Sequence, residues 1–221
     1  MNYYEMNNNV VELRGTVITE PEFSHEVFGE GFYDAMLSVK RLSEQTDEIP
    51  ITISERLLED REIRVGDEIS IEGQFRSYNK IIDEHSKLML TVFVRDFVDN
   101  QDESNPNQIE ITGYICKTPI YRMTPFKREI CDVLLAVNRA YNKSDYIPCI
   151  TWGRNARYVR NLEVGTKIAI VGRVQSRVYQ KTQENGEVED RVAYEVSVCK
   201  ITELSVSSED NGEESAREYI N

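Results

Sequence analysis

The chain contains one internal repeat. Asn9–Arg41 aligns with Asn107–Arg139 without a gap at an offset of 98 residues, and nine of these 33 positions are identical. One inserted residue later, Gly73 falls on Gly172. A repeat period near 98 residues is the size of a domain rather than of a solenoid unit. The sequence therefore predicts two copies of one fold.

The repeat divides the chain into two domains, a joint and a tail. We predict a first domain over residues 1–98, a polar, acidic linker over 99–106 and a second domain over 107–204. Residues 205–221 form an acidic tail. The first residues lack the features of a signal peptide, and the apolar runs are too short to span a membrane. We therefore expect a cytoplasmic protein without membrane contact.

Each copy has the pattern of a small β-barrel. Gly172 inside the fourth predicted strand indicates a bulge or a sharp bend, and Asn185-Gly186 predicts a hairpin before the last strand. A short helix, Arg154–Leu162, separates strands three and four, and Glu55–Ile63 is its counterpart in the first copy. Five strands with one helix between the third and the fourth is the order of elements in the OB-fold, which often binds oligonucleotides. We predict an all-β protein of two tandem five-stranded OB-fold barrels, each with one short helix; the strands of the second are Gln108–Ile115, Ile130–Asn138, Tyr146–Trp152, Thr166–Tyr179 and Arg191–Leu204.

Charge is divided unevenly between the two copies. Residues 1–105 carry 10 basic and 23 acidic side chains, a net charge of −13, whereas residues 106–204 carry 15 and 11, a net charge of +4. The tail carries −4. Electrostatic attraction acts over about a Debye length, ~8 Å at physiological salt, so a cationic groove can bind phosphates beside an acidic neighbour. Only the second copy has a charge that suits nucleic acid.

The aromatic side chains follow the same division. Proteins that bind single strands stack bases on rings, while Lys and Arg track the backbone. Four rings of the second copy lie near cations in sequence: Tyr141, Tyr146, Trp152 and Tyr179. The candidate phosphate contacts are Arg139, Lys143, Arg154, Arg157, Arg177 and Lys181. The equivalent ring positions of the first copy hold Ser43, Glu48, Ser54 and, within a residue or two, Asn79 or Lys80, with Tyr78 as the one ring nearby.

Two alternatives remain for these residues. Tyr and Trp in strands are often half-buried packing groups rather than ligand contacts. Arg139 is matched by Arg41 in the acidic copy, which indicates that part of its role is structural.

Several motifs of the second copy occur together, in order, in a known family. They are Leu135-Ala136-Val137-Asn138-Arg139, Ile150-Thr151-Trp152-Gly153 and the segment Gly172–Tyr179. On these motifs the second copy resembles the bacterial single-stranded DNA-binding protein family, whereas the first copy resembles it only through its framework. The resemblance implies that the four rings named above form the base-stacking platform. The tandem layout is similar to that of the minority of members with two domains per chain, which form homodimers with four OB-folds.

The sequence thus predicts a protein that coats and protects single-stranded DNA in replication, recombination and repair, largely without sequence preference. We expect the first domain to support assembly. The tail either recruits replication and repair proteins or only increases solubility, since it ends in Tyr219-Ile220-Asn221 and not in the family's Pro-Phe. One alternative is a primosome-type OB module that docks a protein and binds DNA weakly; another is an RNA-binding OB protein, because stacking platforms accept either sugar.

The sequence predicts neither an enzyme nor a site for a cofactor or metal. No H-E-x-x-H, G-x-S-x-G or phosphate-loop motif is present. The four cysteines all lie in the second half of the chain and form no C-x-x-C pair, whereas both histidines lie in the first half. We therefore expect the cysteines to be reduced and mostly buried.

Overall fold

The computed structural model describes residues 7–43, 45–82, 85–99, 105–182 and 186–204. Within these ranges the chain forms twelve strands, two short α-helices and one 3-10 turn. The first domain contains β1 (Asn9–Val17), β2 (Glu22–Val27), β3 (Glu30–Lys40), β4 (Thr46–Ser54), α1 (Glu55–Glu59), β5 (Glu68–Ile82) and β6 (His85–Phe97). The second contains β7 (Asn107–Ile115), β8 (Ile120–Met123), β9 (Glu129–Arg139), the 3-10 turn Ala140–Asn142, β10 (Lys143–Trp152), α2 (Gly153–Val159), β11 (Lys167–Thr182) and β12 (Val188–Glu203).

The two domains have the same strand topology. In the first, the order is β2-β3-β4-β6-β5-β1, with β3 also pairing β1; in the second it is β8-β9-β10-β12-β11-β7, with β9 also pairing β7. All pairs are antiparallel except β4 with β6 and β10 with β12. The prediction of an all-β protein of OB-fold type is confirmed.

The structure differs from the sequence prediction in two local features. Each domain has a short additional edge strand, β2 or β8, which the sequence prediction did not include. Both helices are shorter than predicted: α1 ends at Glu59, before Ile63, and α2 ends at Val159, before Leu162. The linker residues 100–104, the tail from residue 205 and Asn185 of the predicted turn lie outside the described residues.

The core of each barrel is built from the apolar positions of the repeat. Strand β7 alternates between buried and more exposed residues along its whole length, so that Ile109, Ile111 and Ile115 are buried. The residues of β1 at the same offset, Val11 and Leu13, are buried in the same way. The repeat is therefore preserved where side chains pack inside the barrels, which is the main source of their stability.

Two glycines permit a bulge in the long strands of both domains. The β11–β12 register shifts between Val171 and Gly172, and the β5–β6 register shifts at Gly73. A Cβ on Gly172 would lie 2.3 Å from the Ser197 carbonyl oxygen, and a Cβ on Gly73 would lie 2.4 Å from the Phe93 carbonyl oxygen. Only glycine fits at such a distance, and the bulge predicted at Gly172 is confirmed.

The two barrels are joined through their first strands. Strand β1 pairs antiparallel with β7, with Val11 opposite Ile109. The Asn107 side-chain amide donates to the Val174 carbonyl oxygen at 2.7 Å and its oxygen accepts from the Val174 N–H at 2.9 Å. Asn9 makes the same pair of bonds with Phe75. The identity of Asn9 and Asn107 in the repeat is thus explained by a shared backbone contact.

A buried aspartate of the first domain also reaches across the junction. The Asp47 carboxylate accepts two hydrogen bonds of 2.7 Å from Arg41, and its Oδ1 accepts one of 2.9 Å from the Ser176 N–H of the second domain. The Arg173 guanidinium of the second domain lies 3.5 Å from Asp47 Oδ2. Both carboxylate oxygens therefore have cationic partners.

The equivalent aspartate of the second domain makes fewer contacts. Asp145 Oδ1 accepts from the Ser77 N–H at 2.7 Å and from Arg139 Nη1 at 3.2 Å. Its Oδ2 is buried and has no hydrogen-bond partner among the described residues. Burial raises the pKa of Asp145 above its usual value, against the opposing effects of Ser77 and Arg139. The two aspartates therefore occupy equivalent positions at the junction, but Asp47 has more cationic partners than Asp145.

Candidate nucleic-acid interface

Strand β10 carries two of the four candidate rings on the outer face of the second domain. Its residues alternate, so that Ile147, Cys149 and Thr151 are buried while Tyr146 and Trp152 are exposed. Trp152 lies opposite Ile130 of β9 and Tyr146 lies opposite Ala136. The two rings are six residues apart and therefore about 20 Å apart along one face of the sheet.

The other two rings come from different elements. Tyr141 lies in the 3-10 turn between β9 and β10, in a left-handed backbone conformation with φ of 62°. Tyr179 lies on β11, opposite Arg191 of β12. All four side chains reach solvent, with exposed fractions of 78% for Tyr141, 46% for Tyr146, 38% for Trp152 and 37% for Tyr179.

A groove crosses this outer face. Its floor includes Pro148 of β10 and Ala193 of β12, and Tyr179 lines one side. Lys117 and Ile120 line it from the segment around β8. Pro148 shares the outward side of β10 with Tyr146 and Trp152, so the groove places Tyr179 on the same face as those two rings. Sequence reasoning did not single out Lys117, because only the fold brings it to the groove that Tyr179 also lines.

Three of the six candidate cations are paired with carboxylates of the protein. Arg177 lies 5.7 Å from the centre of the Tyr179 ring and 3.4 Å from Glu195 Oε1. Arg157 lies 3.4 Å from Glu129 Oε2, and Arg139 pairs with Asp145 at the domain junction, as described above. The remaining three candidates are exposed: Lys143, Arg154 and Lys181.

The same face of the first domain is occupied by contacts between its own side chains. The Thr52 hydroxyl donates to Asp34 Oδ1 at 2.7 Å, and the Thr52 and Thr91 hydroxyl oxygens lie 2.9 Å apart. Thr52 takes the place of Ile150 in the repeat, and Ser54, at the position of Trp152, is buried. Thr52, Asp34 and Thr91 are therefore paired with one another, whereas the buried Ser54 hydroxyl has no hydrogen-bond partner among the described residues.

The arginine of this face is also engaged. The Arg76 guanidinium lies 4.0 Å from the centre of the Phe93 ring. Burial, together with the nearby Arg139, lowers the pKa of Arg76 to about 10. Tyr78, the one ring near these positions in sequence, is exposed, but it occupies the position of Arg177 rather than that of Tyr179. The exposed Phe23 lies on β2, outside the positions compared from sequence.

A comparison with known proteins also distinguishes the second domain from the first. A model of the Single-strand binding protein family matches residues 106–204. The match spans the whole of the second domain and none of the first. The single-stranded DNA-binding protein A of Bacillus subtilis (strain 168) is 34% identical over 84 residues, covering 35% of this chain and 49% of the relative. Single-stranded DNA-binding protein 1 of Staphylococcus aureus (strain COL) is 33% identical over 84 residues, covering 35% and 50%. The chain thus matches about half the length of these curated relatives.

A solved structure resembles both domains of the chain together. The wild-type single-stranded DNA-binding protein from Thermus aquaticus has a TM-score of 0.68 with 20% sequence identity, covering 90% of this chain and 94% of that chain. At this identity the likeness concerns the fold. The fold of two joined barrels is therefore shared with the Thermus aquaticus protein.

Proposed function

We propose that the chain binds single-stranded DNA through its second domain and protects it during replication, recombination and repair. Bases stack on Tyr141, Tyr146, Trp152 and Tyr179, and the phosphates lie near the cations around the groove. Stacking is largely independent of sequence because every base has a flat face. The protein acts by binding and not by catalysis.

The observation that carries this proposal is the difference between the two outer faces. In the second domain the face holds exposed rings and a groove lined by Tyr179, Lys117 and Arg177, together with Asp132 and Glu195. In the first domain the positions equivalent to the four rings hold Ser43, Glu48, Ser54 and Asn79 or Lys80, and none of these side chains has a ring on which a base could stack. The names of the curated relatives, each matched over 84 residues, support single-stranded DNA as the ligand.

We also infer the setting in which the chain acts. The first domain serves assembly, and two chains associate as a homodimer with four barrels, as the tandem resemblance implies. The acidic tail is a candidate binding site for replication or repair proteins. The four cysteines lie in the described ranges and are free thiols, which supports a reducing, cytoplasmic environment. Burial raises the pKa of the Cys131 thiol to about 11, so this cysteine is expected to be unreactive.

Titration of the full chain with oligo-dT tests the proposal. Trp152 is the chain's single tryptophan, so its fluorescence reports directly on the proposed face. We expect quenching that saturates, with an affinity that falls as salt rises because phosphate binding releases counterions. Absence of binding at low salt would contradict the proposal and would favour the protein-docking alternative. Competition with a matched RNA oligonucleotide distinguishes DNA from RNA binding.

A further inference from the structure

One pair of identical residues in the repeat is not explained by the fold or by the four rings. Phe28 and Phe126 occupy equivalent positions at the tips of the β2–β3 and β8–β9 hairpins. Phe28 is fully exposed and Phe126 is 88% exposed. An exposed phenylalanine contributes no burial to the stability of its own domain. The surroundings of the two rings differ, and this difference indicates what Phe126 does.

The hairpin that carries Phe126 is rigidly closed. The Lys127 N–H donates to the Thr124 carbonyl oxygen at 2.8 Å, and the Arg128 N–H donates to the Thr124 hydroxyl at 3.0 Å. The Thr124 N–H in turn donates to the Arg128 carbonyl oxygen at 2.9 Å. Pro125 fixes the backbone at the second position of the turn. The ring of Phe126 is therefore presented to solvent by an ordered turn, which lowers the entropic cost of binding through it.

The base of this hairpin is fixed to the rest of the domain. Glu129 accepts a hydrogen bond of 2.6 Å from the Tyr121 hydroxyl and forms the ion pair with Arg157. The Arg160 guanidinium lies 5.0 Å from the centre of the Tyr121 ring. Tyr121 of β8 is thereby linked through Glu129 to Arg157 of α2 and directly to Arg160, the residue after α2, which fixes the base of the hairpin.

The hairpin continues the row of rings on β10. Arg128 and Glu129 line a small cleft together with Trp152 and Gly153. Trp152 lies opposite Ile130, so the hairpin tip extends on the order of 10 Å beyond Trp152 in the strand direction. The tip therefore lies at the end of the line that runs from Tyr146 to Trp152.

The charges beside the two phenylalanines are opposite. Phe126 is followed by Lys127 and Arg128, both exposed. Phe28 has Glu26 and Glu30 near it in sequence, on the two strands of its hairpin. A ring beside cations suits a base and its phosphate, whereas a ring beside carboxylates repels the phosphate.

We propose that Phe126, with Lys127 and Arg128, is a fifth base-stacking position for single-stranded DNA, at the end of the row formed by Tyr146 and Trp152. This inference rests on the proposed function of the second domain. It lengthens the binding face from the groove to the tip of the β8–β9 hairpin. Phe28 takes no part in DNA binding.

Alanine substitution in the full chain tests the inference. Loss of one stacked base is expected to weaken binding of oligo-dT of about 16 nucleotides roughly tenfold in Phe126→Ala. Phe28→Ala, which removes the same ring from the equivalent tip, is expected to bind as the wild type does. A direct reporter is Phe126→Trp in a Trp152→Phe background, whose fluorescence DNA should quench; Phe28→Trp in that background should not be quenched.

The outcomes separate this inference from the proposed function. If DNA quenches Trp152 in the wild type but Phe126→Ala binds with unchanged affinity, the fifth position is overturned and the tip becomes a candidate contact for a protein. Equal weakening by Phe28→Ala would also overturn it. If the wild type itself does not bind DNA, the proposed function fails first.

Discussion

The two domains share one framework but have different outer faces. Both have the glycine bulge, the asparagine that binds the backbone of β5 or β11, and the aspartate that crosses the junction. On the outer face, Ile150 and Trp152 of the second domain stand where Thr52 and Ser54 stand in the first. Residues that pack inside the barrels or join them are preserved between the copies, whereas residues of the outer faces have diverged in both charge and ring content.

The junction explains why a divergent first domain is retained. Ser176 of the second domain binds Asp47 of the first, and Ser77 of the first binds Asp145 of the second. Each domain therefore satisfies buried polar groups of the other. Removal of either domain would leave buried hydrogen-bonding groups without partners, which is costly.

Removing rings from one face at a time should give the largest contrast. The triple variant Tyr141→Ser, Trp152→Ser and Tyr179→Ser loses three stacking positions and should bind labelled oligo-dT about a thousandfold more weakly, by fluorescence anisotropy. The matched control removes three exposed rings of the first domain through Phe23→Ser, Phe28→Ser and Tyr78→Ser. Its affinity should equal that of the wild type. Similar losses in both variants would remove the distinction between the faces.

The two junction aspartates should differ in their effect on stability. Asp47→Asn replaces the buried carboxylate that is paired with Arg41 and Arg173 by a neutral amide. This variant should lower the free energy of unfolding by about 3 kcal/mol. Asp145→Asn removes a charge that burial already disfavours, and its cost should be about 1 kcal/mol or less. Urea denaturation of both variants measures the difference. Equal costs would contradict the unequal electrostatics of the junction.

The pH dependence of Asp145→Asn provides a further check on that pair. Because the folded state raises the pKa of Asp145, its ionisation stabilises the unfolded state relative to the folded state. The free energy of unfolding of the wild type should therefore fall as pH rises from the pKa of Asp145 in the unfolded state through its raised pKa in the folded state. The free energy of unfolding of Asp145→Asn minus that of the wild type should therefore increase over the same interval. A constant difference would mean that the carboxylate is not perturbed.

A smaller effect is expected from the exposed cations. Lys143→Ala, Arg154→Ala and Lys181→Ala together should reduce the slope of log affinity against log salt by about 2, at ~0.7 for each lost phosphate contact. The control Lys40→Ala, Lys80→Ala and Lys87→Ala removes the same charge from exposed positions of the first domain. Its slope should be unchanged. An equal change in both would indicate that only net charge matters.

The sequence was sufficient for the framework because the framework depends on repeated local patterns. The alternation in β7 and the glycine at position 172 are local signals, and both led to correct predictions. Strands β2 and β8 gave no such signal: β2 is exposed along its whole length and β8 has four residues. Edge strands of this kind bury no face, so hydrophobic periodicity does not reveal them.

The site was less accessible from sequence because it depends on contacts between distant residues. Neighbours in sequence suggested Arg177 and Arg157 as cations, but their pairing with Glu195 and Glu129 requires the folded sheet. The reach of Ser176 to Asp47 depends on how the two barrels pair, which no single-domain pattern encodes. The assignment of the four rings as DNA contacts stays a prediction.

Photocrosslinking of the full chain to an oligonucleotide that contains bromodeoxyuridine tests the division between the domains most directly. Crosslinked peptides identified by mass spectrometry locate the bases without altering the protein. We predict crosslinks at Tyr146, Trp152 and Tyr179 of the second domain and none within residues 9–97. Crosslinks concentrated on the first domain, at Phe23 or Tyr78, would contradict the account.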